Sequence, residues 1–149
     1  MERKRDGYIL STDKSLLDVD AIHHFLAAES YWAKHIPRAL VERAIDHSIC
    51  FGLYHGDAQV GFARVITDQA TFGYLADVYV LAGHRGRGLS KWMMEMIMAH
   101  PDLQGLRRFM LATRDAHKLY AQFGFAPVAN PEPLMQINHV DPYGPSAGA

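Results

Sequence analysis

The chain has 149 residues, 49% of them apolar and 21% charged, which suits a single globular domain with one sizeable core. Its 15 basic and 16 acidic residues leave a formal net charge of -1, which argues against a nucleic-acid partner and against activity on aminoacyl-tRNA. No apolar run reaches the ~18 residues of a membrane span, and the charged start Met1–Asp6 lacks the apolar core of a signal peptide, so a cytoplasmic protein with no membrane partner is expected.

Tyr8–Ser11 reads as a first strand, ended by Thr12-Asp13. Apolar Val19, Ile22, Phe25 and Leu26 follow helical spacing, predicting a helix over Asp18–Glu29, and Pro37 breaks the chain before a shorter helix over Ala39–Asp46. Ile49–Tyr54 and Gln59–Ile66 read as a hairpin around His55-Gly56-Asp57, and Thr71–Leu81 as a long strand with one charge, Asp77. A turn over Ala82–Gly88 leads into a helix over Leu89–His100, stopped by Pro101. A strand over Arg108–Thr113, a short helix over Ala116–Phe123 and strands at Phe125–Val128 and Leu134–Ile137 complete the expected elements. Hairpins followed by crossover helices imply a mixed α/β sheet with helices on both faces. The Pro/Gly/Ala-rich stretch 141–149 is expected to be a disordered tail behind a single domain over 1–140.

The lone Cys50, inside an apolar strand, cannot form an internal disulfide and reads as a structural thiol. The nine histidines offer no metal site: His23 and His24 are adjacent, and no Cys/His pair has zinc spacing. No metal is expected.

The turn His84-Arg85-Gly86-Arg87-Gly88-Leu89-Ser90 carries more information. A helix N-terminus leaves backbone N–H groups unpaired with a partial positive charge, and glycines let the main chain approach an anion closely. Arg85, Arg87 and Lys91 add positive charge, so the segment reads as a phosphate site. It matches neither the Walker loop nor the dinucleotide-binding fingerprint, and a plain turn with solvated arginines stays open on this segment alone.

Some thirty residues on lies Thr113-Arg114-Asp115-Ala116-His117-Lys118-Leu119-Tyr120, then Phe123-Gly124-Phe125. Together the two segments resemble the GNAT superfamily of acetyltransferases, over about Tyr8 to Val128. The superfamily's turn motif, Gln/Arg-x-x-Gly-x-Gly/Ala, falls on Gly83–Gly88 and departs from the pattern at Gly83. An asparagine frequent in the superfamily is replaced in the neighbourhood of Thr113 and Asp115.

The resemblance implies a mixed, mostly antiparallel sheet of about six to seven strands, splayed between the fourth and fifth. It implies transfer of an acyl group from acetyl-CoA to a primary amine in a ternary complex. A non-catalytic acyl-CoA sensor or interaction domain is the alternative. By resemblance the fourth strand is Leu75–Leu81, with Val78, Tyr79 and Val80 beside the coenzyme. Its pyrophosphate meets Arg85, Gly86, Arg87, Gly88, Leu89, Ser90 and Lys91. Tyr120 matches the tyrosine that acts as acid toward the coenzyme sulfur. With pKa values near ~10 for tyrosine and ~8.5 for a thiol, full proton transfer is uphill by roughly 2 kcal/mol, so Tyr120 needs a lowered pKa or serves as a hydrogen-bond donor.

Asp77 is a candidate base, a partner for a cationic substrate, or a tie to the neighbouring strand through Arg64. His117 reads as a solvated side chain. The acceptor pocket is expected around Glu29, Tyr31 and Trp32, with Arg64, Phe72 and Tyr74 as the opposite wall. Paired aromatics suit an apolar or aromatic amine, and Glu29 would meet its ammonium. The acceptor is a small-molecule or peptide amine, and a homodimer is compatible with the family.

Overall fold

The computed structural model describes residues 1–144; positions 145–149, most of the expected tail, lie outside the described residues. Asp141–Gly144 forms a turn, and the side chain of Tyr143 lines a cavity against the first two helices. One six-stranded sheet runs through the molecule in sequence order: β1 (Glu2–Arg5), β2 (Tyr8–Ser11), β3 (Ile49–His55), β4 (Ala58–Thr67), β5 (Phe72–Val80) and β6 (Arg108–Leu111). Every neighbouring pair is antiparallel except β5–β6, which is parallel. The helices are α1 (Val19–His24), α2 (Arg38–Asp46), α3 (Leu89–Ala99) and α4 (His117–Ala121).

The two faces of the sheet bury separate cores. On one, Leu10, Phe51, Leu53, Val65 and Val80 pack against Trp92, Met93, Met96 and Ile97 of α3. On the other, Cys50, Phe62 and Tyr79 pack against Ile22, Phe25 and Leu26, with Val41 and Ile45 of α2. The alternation of Cys50 with Phe51, and of Tyr79 with Val80, is the period-2 pattern that fixes a strand buried on both faces.

The mixed sheet and both helix layers match the expected architecture. β1 had no counterpart in the sequence reading. Its four residues, Glu-Arg-Lys-Arg, have no apolar side, and the strand exists because Asp6 (φ 51°) and Gly7 (φ 82°) form the tight Asp-Gly turn that pairs it with β2. Because of this extra hairpin, the expected fourth and fifth strands are β5 and β6.

The expected strands at Phe125–Val128 and Leu134–Ile137 do not form. Both segments run without ladder pairing. Pro127, Pro131 and Pro133 lack the N–H that pairing requires, and Met135 and Ile137 are 96% and 90% exposed, with no core to hold them against a sheet edge. The long first helix forms as α1 followed by a π turn over Phe25–Glu29, closed by Ser30 N–H donating to the Phe25 carbonyl at 2.9 Å.

Two features of β5 shape the site. First, its parallel ladder with β6 covers only Phe72–Leu75 and ends at the pair Leu75–Leu111, so no described strand pairs with 76–80 on that edge. Second, β5 carries one extra residue against β4, because Phe62 faces Tyr79 while Arg64 faces Ala76. Asp77 (φ 55°) takes up the excess in a left-handed conformation. The bulge resets the alternation: Leu75, Val78 and Val80 all face the α3 layer, spaced by three and then two.

Candidate active site

Beyond the β5–β6 ladder opens a cleft of about 400 Å³. Tyr74–Val78 of β5 form one wall and residues 111–116 after β6 the other; Tyr31 and Trp32 close one side, and Tyr120 lies within. Three stretches distant in sequence, 31–32, 74–78 and 111–120, meet here, and the bulge at Asp77 sits among them.

The loop bearing Tyr31 and Trp32 is pinned from below. Buried Ser30 donates its hydroxyl to the Leu26 carbonyl at 2.6 Å and accepts from the Ala33 N–H at 3.1 Å. Tyr31 and Trp32 are therefore held in place although each remains over 40% exposed. Their rings meet edge to face at 5.0 Å.

Asp77 is fully engaged. Its Oδ1 accepts from the indole N–H of Trp32 at 2.8 Å, and its Oδ2 accepts from Arg64 Nε at 2.5 Å. Arg64 also donates to Ser48 Oγ at 3.2 Å. Of the readings open for Asp77, the tie through Arg64 is present, and Trp32 joins it. The carboxylate thus links the bulge of β5, the adjacent strand β4 and the aromatic loop.

Tyr120 is 8% exposed, and its hydroxyl makes no hydrogen bond among the described residues. Burial above all, with the nearby Tyr31 and Asp115 adding to it, pushes its pKa up to about 12. Of the two options for Tyr120, a lowered pKa is not what its surroundings produce. Against a thiol near ~8.5, complete proton transfer is uphill by about 5 kcal/mol, which leaves a neutral phenol suited to donating a hydrogen bond.

From the cleft, β5 leads directly into the glycine turn. A single 3-10 turn over Ala82–His84 precedes Gly86 (φ 79°) and Gly88 (φ 72°), and Gly88 caps α3 without any side-chain hydrogen bond. Trp92 N–H donates to the Gly88 carbonyl at 3.0 Å, so the N–H groups of Leu89, Ser90 and Lys91 have no acceptor within the helix. A Cβ built at Gly86 meets nothing within 4 Å, leaving open space above the turn. Buried Leu89 anchors the start of α3 in the core, while Arg87 and Lys91 are exposed at the rim. Arg85 folds back, its Nε donating to the Val80 carbonyl at 2.8 Å. This set of open donors beside positive side chains fits a pyrophosphate.

The other expected site residues fall as follows. Val78 lines the cleft, whereas Val80 is buried in the α3-side core and the ring of Tyr79 stacks on Phe25 at 3.8 Å on the opposite face. Tyr74 lines the cleft and Arg64 stands behind Asp77. Phe72, 38% exposed at the start of β5, and Glu29, at the exposed end of the π turn, do not line it.

The sequence reading missed Arg114 as a site residue. Its guanidinium lies 3.8 Å from the centre of the Tyr31 ring, and its own N–H donates to the Tyr31 hydroxyl at 3.3 Å. A cation directly after the strand, opposite an exposed aromatic pair, was the available signal, but the contact spans 83 residues.

The site thus combines an open mixed sheet, a parallel β5–β6 ladder that stops at a cleft, a buried tyrosine in that cleft and a glycine turn after β5. A model of the acetyltransferase (GNAT) family matches residues 19–125. The chain belongs to this family. Two relatives each carry the name "putative acetyltransferase". One, from Gibberella zeae, is 39% identical over 140 residues, covering 79% of this chain and 78% of its own. The other, a GNAT-family crystal structure from Xanthomonas campestris pv. campestris, is 57% identical with a TM-score of 0.91, over 95% of this chain and 99% of that one. The fold is also shared, at 19% identity and a TM-score of 0.69, with N-acetylglutamate synthase from Neisseria gonorrhoeae in complex with coenzyme A and N-acetyl-glutamate; the match covers 87% of this chain and 30% of that one.

Proposed function

We propose that this acetyltransferase moves the acetyl group of acetyl-CoA directly to a primary amine, with both substrates bound at once. The observation that carries the reading is the cleft at the end of the β5–β6 ladder, where Tyr120 and Asp77 sit beside the middle of β5, whose C-terminal end opens into the α3 turn.

The pyrophosphate rests on the open N–H groups of Leu89, Ser90 and Lys91, with Gly86 and Gly88 allowing close approach and Arg85, Arg87 and Lys91 supplying charge. The pantetheine arm runs along the unpaired edge of Val78, Tyr79 and Val80, taking main-chain hydrogen bonds that β6 leaves free. Val80 contributes its N–H, since its side chain is in the core and its carbonyl already accepts from Arg85, while Tyr79, paired with Phe62 of β4, holds the strand in place. An N–H of this run polarises the thioester carbonyl. The amine nitrogen attacks that carbon, the C–N bond forms, the C–S bond breaks, and the amine's proton leaves to solvent through the open cleft. The hydroxyl of Tyr120 donates a hydrogen bond to the departing sulfur.

Asp77 acts as a positioning residue. Both of its oxygens already accept hydrogen bonds, which fits holding the bulge and Trp32 in place better than moving a proton. Tyr31, Trp32 and Tyr74 frame the acceptor. Arg64 serves through Asp77, and Glu29 and Phe72 lie outside this frame.

The test is thiol release from acetyl-CoA with a panel of primary amines, on the wild type and Tyr120→Phe. The variant is expected to melt at or above the wild-type temperature and to lose at least roughly tenfold in kcat, about 1.4 kcal/mol in the barrier. Since Tyr120 stays protonated until about pH 12, its contribution to the rate is constant across neutral and moderately alkaline pH and falls away only as pH rises through that value. Unchanged turnover in Tyr120→Phe, with chemistry rate-limiting, removes Tyr120 from the reaction.

A further inference from the structure

Arg114 is the one cation lining the cleft whose guanidinium has no acidic partner among the described residues; the other cation close to the site, Arg64, is spent on Asp77 and Ser48. The guanidinium is nevertheless held. It lies over the Tyr31 ring, 3.8 Å from its centre, and the Arg114 main-chain N–H donates to the Tyr31 hydroxyl. The contact with the ring restrains the group, and among the described residues its N–H donors are not taken, so they can bind a carboxylate in two-pronged fashion. Fixing the side chain beforehand also removes part of the entropy lost on binding.

Asp115, adjacent in sequence, lines the same cleft with no hydrogen-bond or ion-pair partner among the described residues. The fixed cation, the acidic side chain and Tyr120 thus line one cleft, with the cation set on the ring of Tyr31. A cleft that offers a positive and a negative group side by side is complementary to a ligand carrying both signs. At about 400 Å³, it sits at the small end of the ~300–1,000 Å³ usual for ligand clefts, which favours a small molecule over a peptide chain.

We infer that the acceptor is an amino acid, a primary amine that also bears a carboxylate, and that Arg114 holds the carboxylate while Asp115 draws in the ammonium. Tyr31, Trp32 and Tyr74 take its side chain, so apolar and aromatic amino acids fit better than acidic ones. The inference rests on the amine-acetylation reading above and assigns its acceptor.

The experiment compares each amino acid with its decarboxylated amine: tyrosine with tyramine, phenylalanine with phenethylamine, leucine with 3-methylbutylamine. Thiol release from acetyl-CoA is followed for the wild type, Arg114→Ala and Arg114→Lys. The wild type is expected to favour the carboxylate-bearing member by at least about tenfold in kcat/KM. That ratio is expected to fall at least about tenfold in Arg114→Ala and to lie between the two in Arg114→Lys, which keeps the charge and loses the planar fork. Reading a ratio cancels any general loss from misfolding. A wild type that acetylates the decarboxylated amines as well or better overturns the inference and leaves amine acetylation standing. A ratio untouched by Arg114→Ala overturns the role of Arg114. A raised KM for acetyl-CoA in that variant assigns the guanidinium to the coenzyme and also overturns it. Failure to acetylate any amine counts against both readings.

Discussion

The site along β5 has two ends, the cleft beside 74–78 and the turn after Val80, built on different principles. The turn at Gly86 and Gly88 is made of backbone: left-handed glycines, a helix start and N–H groups without acceptors, all within about ten consecutive residues. The acceptor end is made of side chains. Tyr31 and Trp32 come from the loop after α1, Asp77 from the bulge of β5, Arg114 from the loop after β6 and Tyr120 from α4. A backbone site survives most substitutions around it and recognises a feature shared by every substrate of a family. A side-chain site changes with single substitutions and sets what is particular to one member. The first end should therefore break only when its backbone is changed, and the second when any one of its side chains is.

The sharpest break of the turn is Gly86→Val. A Cβ here meets nothing within 4 Å, so packing in the free protein is not disturbed. The cost comes from φ 79°, which a β-branched residue strongly disfavours, and from bulk placed where the anion would approach. The expected outcome is a folded protein with at least about hundredfold weaker acetyl-CoA affinity, measured by calorimetry. Arg87→Ala, which removes only charge, should cost far less. Equal losses in the two would mean that side-chain charge, rather than backbone geometry, makes the site.

The difference between the ends also explains what the sequence disclosed. Strand, turn and helix around Gly86–Lys91 were legible because the period, the glycines and the charges lie side by side in the chain. Tyr120 was legible through the family resemblance that Leu119-Tyr120 and Phe123-Gly124-Phe125 carry. Of Asp77, the sequence showed a carboxylate that needed a partner, and Arg64 was among the options. That Trp32 supplies the second hydrogen bond, across 45 residues, was not readable, because nothing local encodes it. The bulge was hidden for the same reason, since an extra residue appears only against the register of the neighbouring strand. Arg114 lies inside the segment that identified the late helix, yet its place in the cleft depends on Tyr31, 83 positions away. The early hairpin was a different case. Asp6-Gly7 is a strong local signal, but the flanking residues carry charge instead of alternation.

At the acceptor end, Asp77→Asn probes the tie. Asparagine tolerates a left-handed φ, so backbone strain is not introduced at the bulge. It keeps the indole hydrogen bond and removes the charge that Arg64 faces. With side-chain exposures of 17% for Arg64 and 9% for Asp77, the pair is shielded but not sealed. A stability loss of about 2 kcal/mol is expected, below the full penalty for a wholly buried pair, and urea unfolding measures it. If Asp77 positions, kcat falls less in Asp77→Asn, which keeps the indole hydrogen bond, than in Asp77→Ala, which loses both partners. Equal losses in the two would make the charge itself the requirement and remove the positioning role.

The smallest expected effect is the most selective. Trp32→Phe keeps an aromatic ring at the cleft and removes only the indole N–H that donates to Asp77 at 2.8 Å. Trp32 is 41% exposed, so water can replace the lost donor, and the cost should be about 1 kcal/mol, near fivefold. It should fall on kcat/KM for the amine and spare the affinity for acetyl-CoA, because the turn shares no side chain with this loop. Equal losses on both substrates would show that the Trp32–Asp77 link sets the course of β5 all the way to the turn, and that the two ends are one mechanical unit.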